Sequence, residues 1–434
     1  MSDTLVSIWG KEVGNIIWDD QRNFATFQYS PSYLNNGLQL SPLKMPLRTQ
    51  TYSFPDLEFN TFLGLPGLLS DSLPDKFGNT IIRAWLNVHK TPEASFGTVD
   101  RLALIGNRGL GALEYPSPLL IESPIPRPLN TPNLIGLINT ILENKLDILT
   151  SLTYKSDFSL LNELLRIGIS AGGSRAKAIV CWNTDTNEMF PGDIQQSENF
   201  GNWLIKFDGI GNNKDKEQAD PIGYGKIEYA YYLMAQAAGI NMTECCLFNE
   251  NGRSHFMTKR FDRNERGEKL HMQSLCGLAH MDFNQAGRYS YEQAIQVMRQ
   301  IGLTQDEMEQ QVLRAMFNVV GRNQDDHTKN IAFLMNPSGE WKLSPAFDVT
   351  YAYDPSGAWT NKHQMSINGK RDFFNKDDLI DFAAFAGIGK NRGLELLERV
   401  IDSIKKWPDY AIQLGIVKNR IFSIQSTYRL SLLT

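Results

Sequence analysis

The amino-acid sequence predicts an α+β protein, in which a β-containing N-terminal domain precedes a larger, mostly α-helical domain. Short strand-like runs occupy the first thirty residues, and helical apolar spacing prevails beyond residue 289. Between them, residues 115–132 contain six prolines, too many for a helix or a central strand to continue. A chain of 434 residues holds two or three domains at roughly 150 residues each. We place an N-terminal domain at residues 1–150 and a second domain at residues 151–434.

The N-terminal domain is predicted to begin with β-structure. Residues 5–9 and 13–17 are short apolar runs separated by turn residues, and residues 25–29 alternate apolar with polar side chains. A helix is predicted at residues 77–88. The glycine-rich stretch 106–111 has the order G-x-x-G-x-G, and we predict no strand before it and no helix after it, as a dinucleotide-binding loop would require. We therefore interpret it as a structural loop.

The second domain starts with helical patterns and continues with short apolar runs bounded by turn residues. The predicted helices lie at residues 134–149, 158–167, 227–238, 290–301, 305–320, 377–386, 393–405 and 410–427. The predicted strands lie at residues 178–182, 203–207, 255–258, 331–335 and 341–343. The last two flank a turn at residues 336–339 and form a hairpin.

Composition narrows the possible classes of protein. The chain has 43 basic and 48 acidic residues, a formal net charge of -5, and a hydrophobic fraction of 42%, as in ordinary globular proteins. This balance argues against a nucleic-acid binder held by bulk positive charge, although it leaves a DNA contact through a partner open. No uncharged apolar run approaches the ~20 residues that span a bilayer, so no membrane association is expected.

The first residues and the cysteines indicate a cytoplasmic protein. Residues 1–14 lack a basic segment followed by a continuous apolar one, so no signal peptide is predicted. The four cysteines contain no C-x-x-C pair, and we interpret them as free thiols in a reducing compartment.

The most informative segment, residues 322–330, lies between a predicted helix and the hairpin. Asp325 precedes Asn330 by five positions, which is the D-x-x-x-x-N spacing of the protein-kinase catalytic loop. The hairpin brings Asn330 and Asp348 to one end, where an amide and a carboxylate oxygen supply ligands for Mg²⁺. A polar loop with two aspartates can also simply cap a helix, but His327 and Lys329 beside them favour a functional site.

Phosphoryl transfer also calls for a phosphate cradle and a lysine upstream. Residues 169–177 form a glycine-rich loop before a predicted strand, although it is not a Walker A loop and a mere turn is the alternative. Lys206 lies inside an apolar strand and needs a partner such as phosphate, the alternative being an edge-strand lysine. Glu228 on the next helix pairs with Lys206 if the arrangement is kinase-like; taken singly, Glu228 is expected on the surface.

At this point the chain resembles HipA, the serine/threonine kinase toxin of bacterial type II toxin–antitoxin modules. The resemblance covers most of the chain, and its specific parts are the I-S-A-G-G loop, the L-I-K strand, the R-F-D-R segment, the D-x-H-x-K-N block and the following F-D. These motifs lie at residues 169–173, 204–206, 260–263, 325–330 and 347–348. The resemblance implies a protein-kinase-like second domain with a small lobe near residues 151–262 and a helical lobe near residues 263–434.

The resemblance also implies roles for single residues. Asp325 is the expected catalytic base, Asn330 and Asp348 are the expected Mg²⁺ ligands, and Ser170 is the expected autophosphorylation site that displaces its loop. The residues implied to bind ATP are Ala171, Gly172, Gly173, Ser174, Lys206, Lys259, Arg260, Phe261, His327, Lys329, Asn330 and Asp348.

The partners implied by the resemblance are a HipB-like helix-turn-helix antitoxin dimer, operator DNA reached through that complex, and a protein substrate in translation. In the family this substrate is notably an aminoacyl-tRNA synthetase. A dimer within the repressor complex is also expected. With a net charge of -5, the chain is expected to meet DNA only beside a basic partner.

Two departures from the family pattern leave alternatives. Asp326 stands where relatives often have glycine, and it competes with Asp325 as base, although its spacing to Asn330 is four. Ser174 precedes Arg175 where relatives commonly have another pair, and it rivals Ser170 as phosphosite. Two other functions also remain open, a small-molecule phosphotransferase with a kinase-like fold and a mainly non-enzymatic co-repressor.

Overall fold

The computed structural model describes residues 3–116, 127–143, 155–168, 175–192, 199–210, 222–264 and 266–433. Its first sheet has the strand order β3-β2-β1-β4, with β1 at Asp3–Ile8, β2 at Lys11–Asp19, β3 at Phe24–Tyr29 and β4 at Leu113–Glu114. All its pairings are antiparallel, and inward residues alternate with exposed ones along β1 and β3. The three strands predicted at the start of the chain are confirmed.

Five helices lie between β3 and β4 in the chain. They are α1 (Pro31–Asn36), α2 (Phe59–Phe62), α3 (Gly67–Ser70), α4 (Lys76–Val88) and α5 (Thr98–Ile105), with a 3₁₀ turn at Glu93–Ser95. The predicted helix at 77–88 is confirmed as α4. It begins there because the Asp75 carboxylate accepts a hydrogen bond from the Gly78 amide at 2.7 Å, which caps the first turn.

A second sheet follows α6 (Thr131–Glu143) and α7 (Lys155–Gly168). Its five strands have the order β6-β5-β7-β9-β8 and lie at Lys177–Trp182 (β5), Met189–Pro191 (β6), Gly201–Lys206 (β7), Cys245–Glu250 (β8) and Arg253–Lys259 (β9). The strands predicted at 178–182, 203–207 and 255–258 are confirmed. Strands β6 and β8 were missed: β6 has only three residues, and the short apolar run at 245–248 that forms most of β8 was not assigned to a strand.

The remaining elements are mostly helical. The helices are α8 (Tyr224–Ala237), α9 (Leu275–Ala279), α10 (Tyr291–Gln300), α11 (Gln305–Val320), α12 (Lys376–Phe385), α13 (Lys390–Ile404), α14 (Trp407–Gln413) and α15 (Lys418–Gln425), with 3₁₀ turns at Thr328–Asn330 and Leu430–Leu433. A third sheet has the order β10-β11-β12, with strands at His271–Ser274, Ala332–Met335 and Trp341–Leu343. The fold class, α+β, is confirmed, as is the predicted hairpin of β11 and β12.

The single helix predicted at 410–427 is wrong, because the chain breaks it into α14 and α15. Gly415 has a φ of +67°, a left-handed conformation that glycine adopts without a Cβ clash. Its amide donates to the Ile412 carbonyl and the Ile416 amide donates to the Ala411 carbonyl, which closes α14. The apolar spacing continues through this turn, so periodicity alone hid the break.

The chain divides into two compact units. The first contains Met1–Leu40, Met45–Ile222 and Phe248–Met272, and the second contains Ser41–Lys44, Gly223–Leu247 and Gln273–Thr434. The first unit therefore combines the predicted N-terminal domain at 1–150 with much of the predicted small lobe. The domain boundaries at 150 and 262 stay predictions.

The core of the second unit surrounds α11. Apolar side chains of α8, α10, α12, α13 and α14 pack together with it, and Trp407 is fully buried among them. The α11 helix begins at Thr304, whose hydroxyl accepts from the Glu307 amide while the Glu307 carboxylate accepts from the Thr304 amide. The carboxyl end of α11 therefore packs in this core, and the segment with the D-x-x-x-x-N spacing follows it directly. Within the described ranges, no helix has the length and apolar character needed to cross a membrane.

Candidate active site

The loop at residues 321–330, here called the catalytic-loop candidate, leaves α11 through a sharp turn. The Gly321 amide donates to the Phe317 carbonyl, and Arg322 adopts a left-handed φ of 58°. The Gln324 amide then donates to the Ala352 carbonyl at 3.0 Å, and the Ala352 amide donates to the Arg322 carbonyl at 3.1 Å. These bonds fix the loop against the segment that follows Asp348.

Asp325 lies at the accessible side of this loop. Its side chain is 44% exposed, and its Oδ1 accepts a hydrogen bond from Trp359 Nε1 at 2.6 Å. His327 Nε2 lies 3.8 Å from the same oxygen. The Asp325 carboxylate is therefore oriented by neighbours yet remains reachable from solvent, as a group that meets a substrate must be.

Asp326, the neighbouring carboxylate, is buried, with 3% of the residue exposed. It accepts hydrogen bonds from the Tyr291 hydroxyl at 2.8 Å, His363 Nδ1 at 2.7 Å and the Gln364 amide at 2.7 Å. Burial, with the Asp326 charge adding to it, raises the pKa of Tyr291 well above its ordinary value, so this hydroxyl stays a donor. The two adjacent acids therefore have opposite surroundings.

Asn330 and Asp348 line one small cavity of about 30 Å³, together with Arg314, Asn318 and Asn323. The Asn330 side chain donates through Nδ2 to the Asp325 carbonyl at 2.7 Å, which leaves its Oδ1 as the acceptor end of the amide. Asp348 has a left-handed φ of 53°, a conformation uncommon outside glycine and found at functional sites. The predicted approach of these two residues is confirmed.

The chemistry of this pair fits Mg²⁺. An amide oxygen and a carboxylate are hard oxygen donors, and Mg²⁺ commonly takes one or two protein carboxylates and completes its shell with water or phosphate. In the part of the chain that the structure describes, no group of three or more His, Cys, Asp or Glu is arranged to hold a metal ion.

His327 and Lys329 lie beside aromatic rings. The His327 ring centroid is 5.2 Å from that of Phe283 and 6.4 Å from that of Trp359, and Lys329 Nζ lies 4.8 Å from the Phe283 centroid. Both polar side chains therefore lie beside the Phe283 ring, and a contact with ATP stays a prediction for each.

Lys206 ends strand β7 and is buried, with its Nζ 5.7 Å from the Phe256 ring centroid. It stands opposite Lys177 in the β5–β7 register. Lys177 is paired with Asp75, at 2.9 Å between Nζ and Oδ2. Because β7 lies between β5 and β9 in the sheet and Lys206 is buried, the alternative of an edge-strand lysine is wrong.

Glu228 is buried on α8, with 1% of the residue exposed. The expectation that it is a surface residue is wrong, because Glu228 lies among apolar residues of α8 that enter the core of the second unit. Its pairing with Lys206 stays a prediction.

Arg260 lies in a buried ionic cluster rather than at an open surface. Its Nε and Nη2 donate to the Asp262 carboxylate at 2.8 and 2.6 Å, and Nη2 also donates to the Gly109 carbonyl at 3.1 Å. The Gly111 amide donates to Asp262 Oδ2 at 2.7 Å, and Arg263 Nη1 lies 2.9 Å from the same oxygen. The Arg260 side chain thus binds within the first unit, which leaves Lys259 and Phe261 as the better candidates beside an adenine.

The opposite charges of this cluster keep its buried groups ionised. Burial alone raises the pKa of the Asp262 carboxyl, yet the guanidinium groups of Arg260 and Arg263 hold it well below its usual range. Burial also lowers the pKa of Arg263 to about 10, which leaves it charged at neutral pH. The interpretation of residues 106–111 as a structural loop agrees with this arrangement.

The predicted phosphate loop lies outside the described residues. Ser170, Ala171, Gly172, Gly173 and Ser174 all belong to this stretch, and their expected roles stay predictions.

Sequence reasoning missed the partners of the two acids. Trp359, His363, Gln364 and Tyr291 carry no motif, and residues 351–375 gave neither a helical nor a strand pattern. The polar run W-T-N-K-H-Q at residues 359–364 was the available signal, since aromatic and imidazole groups after a predicted metal ligand are candidates for a site.

The α+β fold and the arrangement of Asp325, Asn330 and Asp348 support a kinase-type phosphotransferase as the class of protein. Comparison with family models then identifies the particular family. The HipA N-terminal domain matches residues 4–116, and the HipA-like C-terminal domain matches residues 169–407, which is more than half of the chain. The chain therefore belongs to the HipA family.

One solved structure shares the fold of this chain. A Shewanella oneidensis MR-1 toxin–antitoxin system structure, of HipA, HipB and its operator DNA, matches with a TM-score of 0.66 and 16% identity over 99% of this chain and 96% of that one. The proinflammatory kinase CtkA of Helicobacter pylori matches with a TM-score of 0.30 and 12% identity over 52% of this chain and 92% of that one. Comparison with curated proteins finds no match.

Proposed function

We propose that this chain is an ATP- and Mg²⁺-dependent protein serine/threonine kinase that acts as the toxin of a HipBA-type module. The observation that carries the proposal is the half-exposed Asp325 carboxylate, tied through the Asn330 side chain to the cavity that Asn330 and Asp348 share. Membership of the HipA family supports the same chemistry.

In the proposed reaction the hydroxyl oxygen of a substrate serine or threonine forms a bond to the γ-phosphorus of ATP. The bond from that phosphorus to the β–γ bridging oxygen breaks, ADP leaves, and the hydroxyl proton passes to the Asp325 carboxylate. Trp359 Nε1–H holds one carboxylate oxygen, so the other faces the hydroxyl in a restricted orientation. Asn330 and Asp348 would hold Mg²⁺, which supplies charge neutralisation on the phosphate oxygens when bound.

Asp325 rather than Asp326 is the proposed base, because only a reachable carboxylate can accept a substrate proton. Asp326 is nearly inaccessible and already accepts three hydrogen bonds. The phosphate-binding role of Lys206 and the autophosphorylation of Ser170, or of its rival Ser174, complete the proposal.

The experiment compares wild-type protein with Asp325→Asn in transfer of radiolabelled γ-phosphate. We expect at least about a 10²-fold loss of transfer with an unchanged melting temperature, and mass spectrometry of the wild type to locate label on Ser170 or Ser174. Asp402→Asn, an exposed carboxylate on α13, is the matched control and should keep full activity. A fully active Asp325→Asn variant refutes the assignment, and label on small molecules alone supports a small-molecule phosphotransferase instead.

The proposed partners are a HipB-like helix-turn-helix dimer, operator DNA bound through it, and a translation protein such as an aminoacyl-tRNA synthetase. The similar Shewanella structure is a complex of HipA with HipB and operator DNA, and the net charge of -5 disfavours DNA binding by this chain alone. A gel shift with and without the antitoxin tests this, since a shift by the kinase alone would contradict it. Phosphoproteomics after expression of active and Asp325→Asn protein identifies the substrate.

A further inference from the structure

Four polar side chains of the second unit form a continuous row behind the catalytic-loop candidate, here called the buried relay: Asp326, His363, Arg429 and Asp372. His363 is completely buried, and its Nδ1 lies 2.7 Å from Asp326 Oδ2. Its other ring nitrogen, Nε2, lies 3.0 Å from Arg429 Nη1. Arg429 in turn donates through Nη2 to Asp372.

The chemistry of arginine fixes the proton positions in this row. A guanidinium has no acceptor, so Arg429 Nη1–H must donate to His363 Nε2, and that nitrogen carries no proton. The ring proton therefore sits on Nδ1 and donates to Asp326. Arg429 at Nε2 and the Asp326 carboxylate at Nδ1 thus both require the same neutral tautomer of His363.

One member of the relay, His363, lies in the segment 359–364, which contacts both Asp325 and Asp326. The Gln364 amide donates to Asp326, and Gln364 Nε2 donates to the Trp359 carbonyl. Trp359 Nε1 donates to Asp325. Residues 359–364 therefore bind both adjacent carboxylates of the loop. A movement of Asp326 is expected to move these residues and so to change the orientation of Asp325.

Arg429 reaches this site from the segment after α15. Its amide donates to the Val320 carbonyl at 3.1 Å and its Nη1 donates to the Val319 carbonyl at 2.7 Å, both at the end of α11. Arg322 Nε donates to the Thr427 carbonyl at 2.6 Å. The residues around 427–429 are therefore fastened to both ends of the turn that starts the loop.

We propose that His363 is a positioning residue for phosphoryl transfer, held in its Nδ1–H tautomer between Asp326 and Arg429 so that Asp326 and residues 359–364 keep Asp325 in its reactive orientation. This inference rests on the proposed function for its catalytic readout. Its structural half, the tautomer and the hydrogen bond from Arg429 to Nε2, stands independently of any activity.

The catalytic test exploits two amides that mimic opposite ring nitrogens. His363→Asn places an amide N–H near the position of Nδ1 and keeps the donor to Asp326, whereas His363→Gln places its amide near Nε2 and loses that donor. We expect kcat within about 3-fold of wild type for Asn and a loss of about 10- to 100-fold for Gln, with the KM for ATP changed less than about 2-fold. Equal activities of the two variants, or a change confined to KM, overturn the proposal.

The matched control is Trp407→Phe, which removes another buried hydrogen bond of the same unit, from Trp407 Nε1 to the Ile421 carbonyl. It should lower the melting temperature without lowering kcat. If kcat instead follows the melting temperature in Trp407→Phe as in His363→Gln, the effect is mere destabilisation and the proposal fails. Should His363→Gln not fold, Arg429→Lys, which keeps the charge, serves in its place and should lower kcat.

The second measurement is ¹⁵N NMR of histidine-labelled protein, with His363→Asn used to assign the His363 signals. We expect Nδ1 protonated and Nε2 unprotonated in wild type. In Arg429→Met the Nε2 resonance should move, because that nitrogen loses its hydrogen-bond donor, while Nδ1 stays protonated against the Asp326 carboxylate. Protonation at Nε2 in the wild type, or an unchanged Nε2 resonance in Arg429→Met, overturns the inference. Because this readout needs no phosphate transfer, an inactive wild type would refute the proposed function and leave the tautomer test intact.

Discussion

Asp325 and Asp326 show how neighbouring residues of one type acquire different tasks from their surroundings. The Asp325 carboxylate is accessible to solvent, whereas the Asp326 carboxylate accepts hydrogen bonds from three buried donors. A carboxylate saturated by internal hydrogen bonds organises structure, whereas an accessible one can exchange a proton. The sequence identified the pair and its spacing, but the buried donors come from distant segments and no local pattern announces them.

Asp326→Asn is expected to destabilise the fold strongly. The amide replaces an oxygen that accepts hydrogen bonds with a group that donates, and it removes a charge inside a hydrogen-bonded network. We expect a loss of about 3 kcal/mol in the free energy of unfolding, measured by urea denaturation. Asp325→Asn should stay within about 0.5 kcal/mol of wild type, and equal losses for the two variants would contradict the distinction.

Trp359→Phe tests the hydrogen bond to the proposed base. The substitution keeps an aromatic ring beside His327 but removes the Nε1–H that orients Asp325. We expect kcat to fall about 10-fold in a phosphate-transfer assay, with little change in stability. Trp182→Phe, which removes the indole bond to Asn187, is the control and should retain wild-type activity.

At the scale of elements, the first unit depends on bonds between distant parts of the chain. Asp75 both caps α4 and pairs with Lys177 on β5, and the loop at 106–111 binds the Arg260–Asp262 cluster. The sequence predicted α4, from the pattern of residues 77–88, and the loop, from its closely spaced glycines, because both are local patterns. It did not predict the partners, because ion pairs across long sequence separations leave no periodic trace.

Gly111→Ala tests how closely this loop packs. Gly111 has a φ of +76°, and an added Cβ would lie 3.0 Å from the Met272 amide nitrogen. We expect a loss of about 2 kcal/mol in the free energy of unfolding, from backbone strain together with the steric clash. Gly252→Ala is the matched control, because its φ of +75° is the same and nothing lies within 4 Å of the added atom; it should lose only about 1 kcal/mol. Equal losses in the free energy of unfolding for the two variants would show that the left-handed backbone conformation alone, and not the contact with Met272, causes the destabilisation.

For the whole molecule, buried histidines set the response to acid. Burial lowers the pKa of His255 and of His271 to about 4, below the ordinary 6.5. Between pH 6.5 and 4 the unfolded chain therefore binds protons at these histidines that the folded chain does not bind. The free energy of unfolding is consequently unaffected by them above pH 6.5 and falls as the pH falls through this window.

The expected slope is at most about 1.4 kcal/mol per pH unit for each of these histidines, measured as the free energy of unfolding at several pH values. His271 Nε2 lies 2.9 Å from the Leu40 carbonyl, a bond that Gln at this position can replace with its amide. His271→Gln should therefore flatten the slope between pH 6.5 and 4 while leaving the profile between pH 7 and 8 unchanged. An unaltered slope would show that His271 protonates alike in both states.

The composition of the two compact units also determines whether the chain can be cut into fragments that fold separately. The chain passes from one unit to the other after residues 40, 44, 222, 247 and 272, so neither unit is a single uninterrupted stretch of sequence. Cutting the gene at one point, even at the proline-dense stretch that looks like a natural border, separates Gly109 and Gly111 from the residues at 260–263 that bind them. Half-proteins made in this way are expected to require co-expression and reassembly, and a nick within a surface loop to leave the two pieces associated.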